Sequence, residues 1–404
     1  MNSASSDHAV PRGPMPSCAP SAHTADFVVI GAGPAALACA LWRARHGRVF
    51  VVRPEKASSQ TDAAWIEAVP TRTIAELVAL GIHPHDLGVR EFVHTRAIAW
   101  RSPEPEIMDT YPAAHLERPA LEHALLALAE RHRRIDFVPH DALASWSQAG
   151  PTRAGSGTYI IDASGRRALT ATRVHRPRRP WIARTFAVEC DPRRGVAPLM
   201  VAALPNGYLY RAAGARSTTV GVVGRGSMLA GSGRDVCLRL LDSTARWAVV
   251  DLAARAWRSI GSRPASLQWA EFDNTVAIGD AAFARDALSS QGLACSLADA
   301  RYAAHVANDH DRQALAERSR LACESHAAAL LRMAREQWCN TGLWRYYQAE
   351  LGALQAAVRG MPLRAADEAP RRHERSDLTF TSSIEARRQR RPLEPGTPVS
   401  SDRA

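Results

Sequence analysis

Three stretches of this 404-residue sequence predict an α/β fold interrupted by a second sheet. Near the N-terminus, ADFVVIGAGPAALACALWRARHGRVFVVRP runs apolar strand, glycine turn, helix and second strand, which is one βαβ unit. From about Arg166 to Pro264, segments such as GYLYRAAG and STTVGVVGRG alternate with period two between glycines, as in a sheet with one covered face. Then NTVAIGDAAFARDALSSQGLACSLADA returns to strand, turn and helix. Together they describe a Rossmann-type domain with an inserted β-sheet domain and a helical C-terminal segment.

Residues 1–24 are rich in Ser, Pro and Ala and read as disordered, as does the Arg/Glu/Pro/Ser-rich tail 359–404. The Rossmann-type part is expected to take 25–80, 111–165 and 265–305, and the inserted part 81–110 and 166–264. Within the former, ERPALEHALLALAERH from Glu117 has helical apolar spacing, with Pro119 suited to a first turn. TYIIDASGRR from Thr158 reads as a short strand ending in a turn. An amphipathic helix is expected over Cys237–Val250 and further helices over 306–358, including LLRMAREQWCNTGLWRYYQAEL.

Composition excludes several classes. The formal charge is +11, but Lys56 is the only lysine, and the basic clusters at Arg131–Arg134 and Arg176–Pro180 lack interleaved aromatics. Nucleic acid is therefore not an expected partner, while a mildly acidic protein partner stays open. No apolar run approaches the roughly 18 residues of a membrane span, and no basic-then-apolar leader is visible, so the reading is cytoplasmic with no membrane partner. The seven cysteines are scattered without C-x-x-C spacing, which argues against a disulfide framework or zinc site. HPHD at His83–Asp86 and NDHDR at Asn308–Arg312 fall where a loop or exposed helix is expected and read as surface, not metal or acid–base groups.

Two turns carry chemistry. In G-A-G-P-A-A from Gly31 to Ala36, Gly31 permits the tight turn, Gly33 lets the backbone approach a pyrophosphate, and Ala36 is small enough for close packing. The acidic residue usual at the end of the second strand is replaced by Arg53, which either meets a ribose or phosphate, as for NADP, or stands at an exposed strand end. At the second turn, Gly279-Asp280 places a carboxylate where a chain of sugar-like hydroxyls can meet it. The amides of Ser290, Gln291, Gly292 and Leu293 then open a helix toward an electron-rich group. A reduced flavin meets both demands; helix capping and turn chemistry alone are the other reading.

GAGPAALACA, the arginine in HLERPALEHALL, IIDASGRR and GDAAFARDALSSQGL stand in the order found in flavin-dependent monooxygenases of the p-hydroxybenzoate hydroxylase fold and in the related tryptophan halogenases, over roughly residues 25–300. The chain resembles these proteins. Within them it resembles the LodB-like and QhpG-like flavoproteins of quinone-cofactor maturation, in D-x-LSSQG at Asp286–Gly292, WIEAVP before LGI, RRPWIAR at Arg178 and EQWCNTGLW from Glu336. The resemblance implies FAD, with Gly31, Gly33, Pro34, Ala35 and Ala36 at the pyrophosphate, Arg118 near the cofactor and Asp280 on the ribityl chain. Ser290, Gln291, Gly292 and Leu293 would border the isoalloxazine. Where these relatives usually carry proline after the aspartate, this chain has Ala287, which loosens the turn. The halogenase W-x-W-x-I-P motif is absent, since no two tryptophans stand two apart, and Lys56 precedes the position of the halogenase lysine. Halogenation is disfavoured.

The activity implied is that of an FAD-dependent monooxygenase, hydroxylating an electron-rich aromatic ring through a flavin C4a-hydroperoxide. Electrons would come from NAD(P)H or a separate flavin reductase. Glu67 and Gln291 are the candidate catalytic groups beside the flavin, and Trp65, Trp181 and Trp338 fall on the family's substrate side. By resemblance the aromatic substrate is a tryptophan side chain in a partner polypeptide. A hydroxylase or oxidase of a small aromatic metabolite and a non-catalytic flavin-binding maturation chaperone stay open.

Overall fold

A computed structural model of the chain describes residues 27–53, 65–139, 158–173, 181–188, 198–214, 218–225, 256–261, 268–270 and 275–360. The segment 1–24, Lys56, the basic cluster 176–180, the helix expected over 237–250 and the tail from 361 lie outside the described residues. In chain order the strands are β1 (Phe27–Ile30), β2 (Val49–Arg53), β3 (Ile66–Pro70), β4 (Phe92–Ala99), β5 (Glu106–Glu117), β6 (Ile135–Pro139), β7 (Tyr159–Asp162), β8 (Ala171–Arg173), β9 (Trp181–Val188), β10 (Leu199–Leu204), β11 (Gly207–Ala213), β12 (Thr218–Arg225), β13 (Ala256–Gly261), β14 (Gln268–Ala270) and β15 (Thr275–Ala277). The helices are α1 (Pro34–Arg43), α2 (Thr71–Ala79), α3 (Arg118–Arg131), α4 (Gly292–Ala303), α5 (Asp309–Glu336) and α6 (Gly342–Arg359).

Five strands form a parallel sheet in the order β15-β7-β1-β2-β6. Chain order therefore reverses beside β1, and the crevice at the carboxyl ends of β1 and β7 is where a doubly wound sheet takes its ligand. β1, FVVI, is buried at every position, as a strand covered on both faces must be. Leu37 and Leu41 of α1, Leu121 and Leu125 of α3, and Leu293 and Leu297 of α4 join one core against this sheet.

The second sheet has eight strands in the order β13-β9-β12-β11-β10-β4-β5-β3, antiparallel except where β10 meets β4. It takes two segments expected with the Rossmann-type part: β3 pairs with the end of β5, from Ile66 opposite Glu117 to Pro70 opposite Ala113. The reason is the length of β5. Its 12 residues run directly into α3, so one strand reaches across both layers and carries its antiparallel partner with it.

One face of the second sheet carries Ile98, Val201 and Tyr210 in register, with Ala203 and Tyr208 in the next row. Helices α5 and α6 cover this face. Two tryptophans pin the cover: Trp100 Nε1 donates to the Met333 carbonyl at 2.7 Å, and Trp344 Nε1 to the Leu204 carbonyl at 2.9 Å. Trp344 is wholly buried. At roughly 25 cal/mol per Å² over ~150–250 Å², that burial contributes on the order of 4–6 kcal/mol. Among the described residues no helix is long and apolar enough to cross a membrane, and no group of three or more His, Cys, Asp and Glu side chains is placed to hold a metal ion.

Candidate functional site

The first glycine turn is squeezed between two strand ends. Gly31 donates to the Val52 carbonyl at 2.9 Å, while Ala163 beyond β7 donates to the Ile30 carbonyl at 2.9 Å. Gly31 sits at φ +120°, and a Cβ there would stand 2.5 Å from the Ala163 carbonyl oxygen, so only glycine fits. Gly33 is the opposite case. A Cβ on it would meet nothing within 4 Å, and as N-cap of α1 it offers no side chain to the helix. Pro34 fills the first helical position, and the amides of Ala35 and Ala36 belong to the helix's unpaired first turn.

The second turn comes to the first. Gly279, at φ +57°, would place a Cβ 3.3 Å from the Ala35 Cβ and 2.9 Å from Ser296 Oγ of α4. Its amide is accepted by the buried Asp299, whose carboxyl is raised by burial, with Arg285, Arg318 and that amide drawing it back. Asp280, half-buried, lies with Oδ2 3.4 Å from Arg166 Nε, and Arg166 Nη2 donates to the Arg285 carbonyl at 3.0 Å. Arg166 belongs to the DASGRR turn, which Asp162 folds by accepting the Ser164 amide at 2.9 Å, the Thr170 amide at 2.9 Å and the Thr170 hydroxyl at 2.8 Å. Three motifs far apart in sequence thus meet at the carboxyl ends of β1, β7 and β15.

At the start of α4 the structure corrects one expectation. The Ser290 amide donates to the Ala287 carbonyl at 3.1 Å and the Gln291 amide to Ser289 Oγ at 3.3 Å, so neither is left open. The helix begins at Gly292, and it is Gly292 and Leu293 that head its unpaired first turn. A tight turn satisfies its own donors before the helix starts, which spacing along the chain did not reveal. Space in front of Gly292 is open, with nothing within 4 Å of a Cβ there.

Just upstream, Asp286 is buried among polar partners. Its Oδ1 accepts the Leu288 amide at 2.9 Å and the Tyr208 hydroxyl, its Oδ2 the Tyr347 hydroxyl at 2.8 Å, and its own amide donates to His326 Nε2 at 3.3 Å. Burial raises the Asp286 carboxyl above its usual range, with these hydroxyls and the Leu288 amide opposing. Burial, with Arg285 nearby, pushes His326 down to about 3. None of this was legible in the sequence, because the partners come from β11, α5 and α6.

Glu67 and Arg118 meet as a half-buried ion pair. Arg118 Nη1 donates to Glu67 Oε1 at 2.7 Å and its Nε to Glu122 Oε1 at 2.7 Å, while its amide donates to the Trp65 carbonyl at 2.7 Å. Burial opposes the charge on Arg118, but Glu67 and then Glu122 outweigh it and hold the guanidinium's pKa above its ordinary value. Burial, then the Glu67 charge, raises the phenol of Tyr210. Its ring lies against Gly221, where a Cβ would be 2.0 Å from Tyr210 Cζ. Arg53 ends β2 and pairs with Glu130 at 3.3 Å on the surface. Trp338, between α5 and α6, packs partly buried against the apolar cluster that these helices form with the second sheet; the side chain of Trp181 lies outside the described residues. His83–Asp86 form a short turn, and Asn308 caps α5 by accepting the Asp311 amide at 2.9 Å.

Solved structures with a similar fold include the peptidyl tryptophan dihydroxylase QhpG, essential for tryptophylquinone cofactor biogenesis, at TM-score 0.58 and 20% identity, covering 85% of this chain and 80% of that one. The myxobacterial chondrochloren halogenase CndH aligns at TM-score 0.60 and 18% identity over 83% of this chain and 89% of its own. The chain has the fold of the flavin-dependent halogenases and of QhpG. A tryptophan halogenase from Shewanella frigidimarina aligns at TM-score 0.60 and 14% identity over 82% of each chain. Among curated sequences, menaquinone reductase of Mycolicibacterium smegmatis is 36% identical over 102 residues, and the match spans 25% of that protein's length and 23% of this chain. No protein-family model matches the chain.

FAD fits the residues present. The open space at Gly33 and the first-turn amides of α1 suit a pyrophosphate, Asp280 suits hydroxyls, and the open start of α4 suits a polar ring edge.

Proposed function

We propose that the chain is an FAD-dependent monooxygenase that hydroxylates an electron-rich aromatic ring, a tryptophan side chain in a partner polypeptide. The observation that carries this reading is the meeting of the two glycine turns, with Gly279 brought against Ala35 at the switch point of the parallel sheet. Bound FAD, reduced by NAD(P)H or by a separate reductase, would supply the activation of oxygen. The rest falls to the chain. Gly31, Gly33, Pro34, Ala35 and Ala36 would hold the pyrophosphate, Asp280 the hydroxylated chain, and the Gly292 and Leu293 amides the ring edge where negative charge gathers on reduction. Glu67 and Arg118, joined to each other, would border the cofactor as one unit; Gln291 would face it from the turn. Helices α5 and α6 cover one face of the second sheet, and the partly buried Tyr210, Val201 and Trp338 at that cover would supply aromatic and apolar contacts to the substrate ring. The fold shared with QhpG, a peptidyl tryptophan dihydroxylase, supports the choice of a tryptophan in a polypeptide.

The visible spectrum of the purified protein tests the cofactor. Bands near about 370 and 450 nm, or their appearance after adding FAD, are expected; a colourless protein that takes up no FAD removes the proposal. A tryptophan-containing partner peptide, incubated with the loaded protein, oxygen and a reductant, should gain oxygen by mass.

A further inference from the structure

The turn that heads α4 is not stiff by its own sequence. Ala287 follows Asp286, and Ser290 sits in the left-handed region at φ +50° without being glycine. What holds it comes from elsewhere in the fold. The Asp286 carboxylate grips the turn through the Leu288 amide and is itself gripped by hydroxyls on both oxygens, from Tyr208 on the second sheet and Tyr347 on α6. Its backbone is tied to His326 of α5. Leu288 sits in the same apolar cluster as Tyr208, Trp344 and Tyr347, so the turn is clamped between the sheet and the C-terminal helices.

A buried carboxylate is costly where apolar packing would serve, and here all its bonds run to donors that converge on one turn. We propose that Tyr347 and Tyr208, acting through Asp286, are positioning residues for the 287–293 turn, so that docking of α6 on the second sheet sets the direction in which the Gly292 and Leu293 amides face the cofactor. The proposal rests on the FAD reading above. It assigns α6, which carries none of the cofactor-holding residues named for that reading, a part in tuning the flavin.

Tyr347→Phe and Tyr208→Phe each remove one hydroxyl and keep the ring. Hydrogen exchange of the full chain, with and without FAD, should speed up in segment 287–293 by on the order of tenfold in either variant, the effect expected for a lost bond to a charged group. The middle of α5 should exchange as in the unsubstituted protein. In the FAD-loaded variants the flavin potential should move negative and the visible bands should shift, since the amides that favour the reduced flavin are no longer held in place. A merely structural role would lower the unfolding midpoint while leaving exchange at 287–293, the potential and the spectrum unchanged, and that result overturns the proposal. If Tyr347→Phe does not fold, Tyr208→Phe tests the same carboxylate through its other oxygen. Unsubstituted protein that takes up no FAD sinks this inference and the function together; normal uptake with an unaltered potential in both variants sinks this inference alone.

Discussion

Two glycines only two positions apart should fail in different ways when each is replaced by alanine. At Gly31 the backbone has φ +120°, and the new Cβ would stand 2.5 Å from the Ala163 carbonyl oxygen and 2.9 Å from its carbon. That carbonyl cannot retreat easily, because Ala163 is itself bonded to Ile30 at the end of β1. Backbone strain of about 1–3 kcal/mol and overpacking of about 1–3 kcal/mol together give roughly 2–6 kcal/mol, a large part of a stability that is typically about 5–15 kcal/mol. At Gly33 the backbone is extended, φ −82° and ψ 177°, and the added methyl meets nothing within 4 Å. Gly33→Ala should therefore cost less than about 1 kcal/mol in folding, as expected for alanine at an N-cap. Its methyl would instead occupy the approach of the pyrophosphate, lowering FAD affinity at least about tenfold, or about 1.4 kcal/mol. Thermal unfolding of the FAD-free proteins and FAD titration followed by flavin fluorescence measure the two effects separately. The reasoning fails if Gly31→Ala unfolds at the same temperature as the unsubstituted protein, or if Gly33→Ala binds FAD equally well.

Two further outcomes follow from the charged interior. Arg118→Met strands the half-buried Glu67, so denaturant unfolding should show a loss of about 1–3 kcal/mol; a double-mutant cycle with Glu67→Gln should recover part of it, and strict additivity would show that the pair is not coupled. His326 is held near 3 against an ordinary value of 6.5, so the unfolded chain binds the extra proton between those values. Its contribution to stability is complete above about pH 6.5 and is lost as pH falls, at up to about 1.4 kcal/mol per pH unit. Asp286, whose carboxyl is raised, works in the opposite sense, its contribution being lost as pH rises through the folded value. His326→Gln should accordingly flatten the acid limb of stability measured from pH 7 to pH 4; an unchanged slope would count against a neutral buried imidazole.

Much of the architecture can be read from short windows of sequence. FVVI followed by GAGPAA encodes a strand, a turn and a helix start within 10 residues, because φ at Gly31, the missing Cβ at Gly33 and proline at the first helical position are local properties. The alternation in β11 and β12 and the helical spacing of α3 are equally local. Pairing is not: Ile66–Pro70 joined the second sheet because the long strand β5 runs across both layers before α3 begins. The open helix amides also shifted, from Ser290 and Gln291 to Gly292 and Leu293, once the turn had satisfied its own donors.

By itself the sequence determined that strands, glycine turns and helices alternate here. Only the tertiary structure decided that Gly279 abuts Ala35, that Arg166 faces Asp280, that Glu67 pairs with Arg118 and that Asp286 is held by Tyr208 and Tyr347. The physical reason is range. Turn geometry depends on a few adjacent dihedrals, whereas a buried carboxylate finds its donors wherever burial of apolar surface brings them, here from 78 residues upstream and 61 downstream.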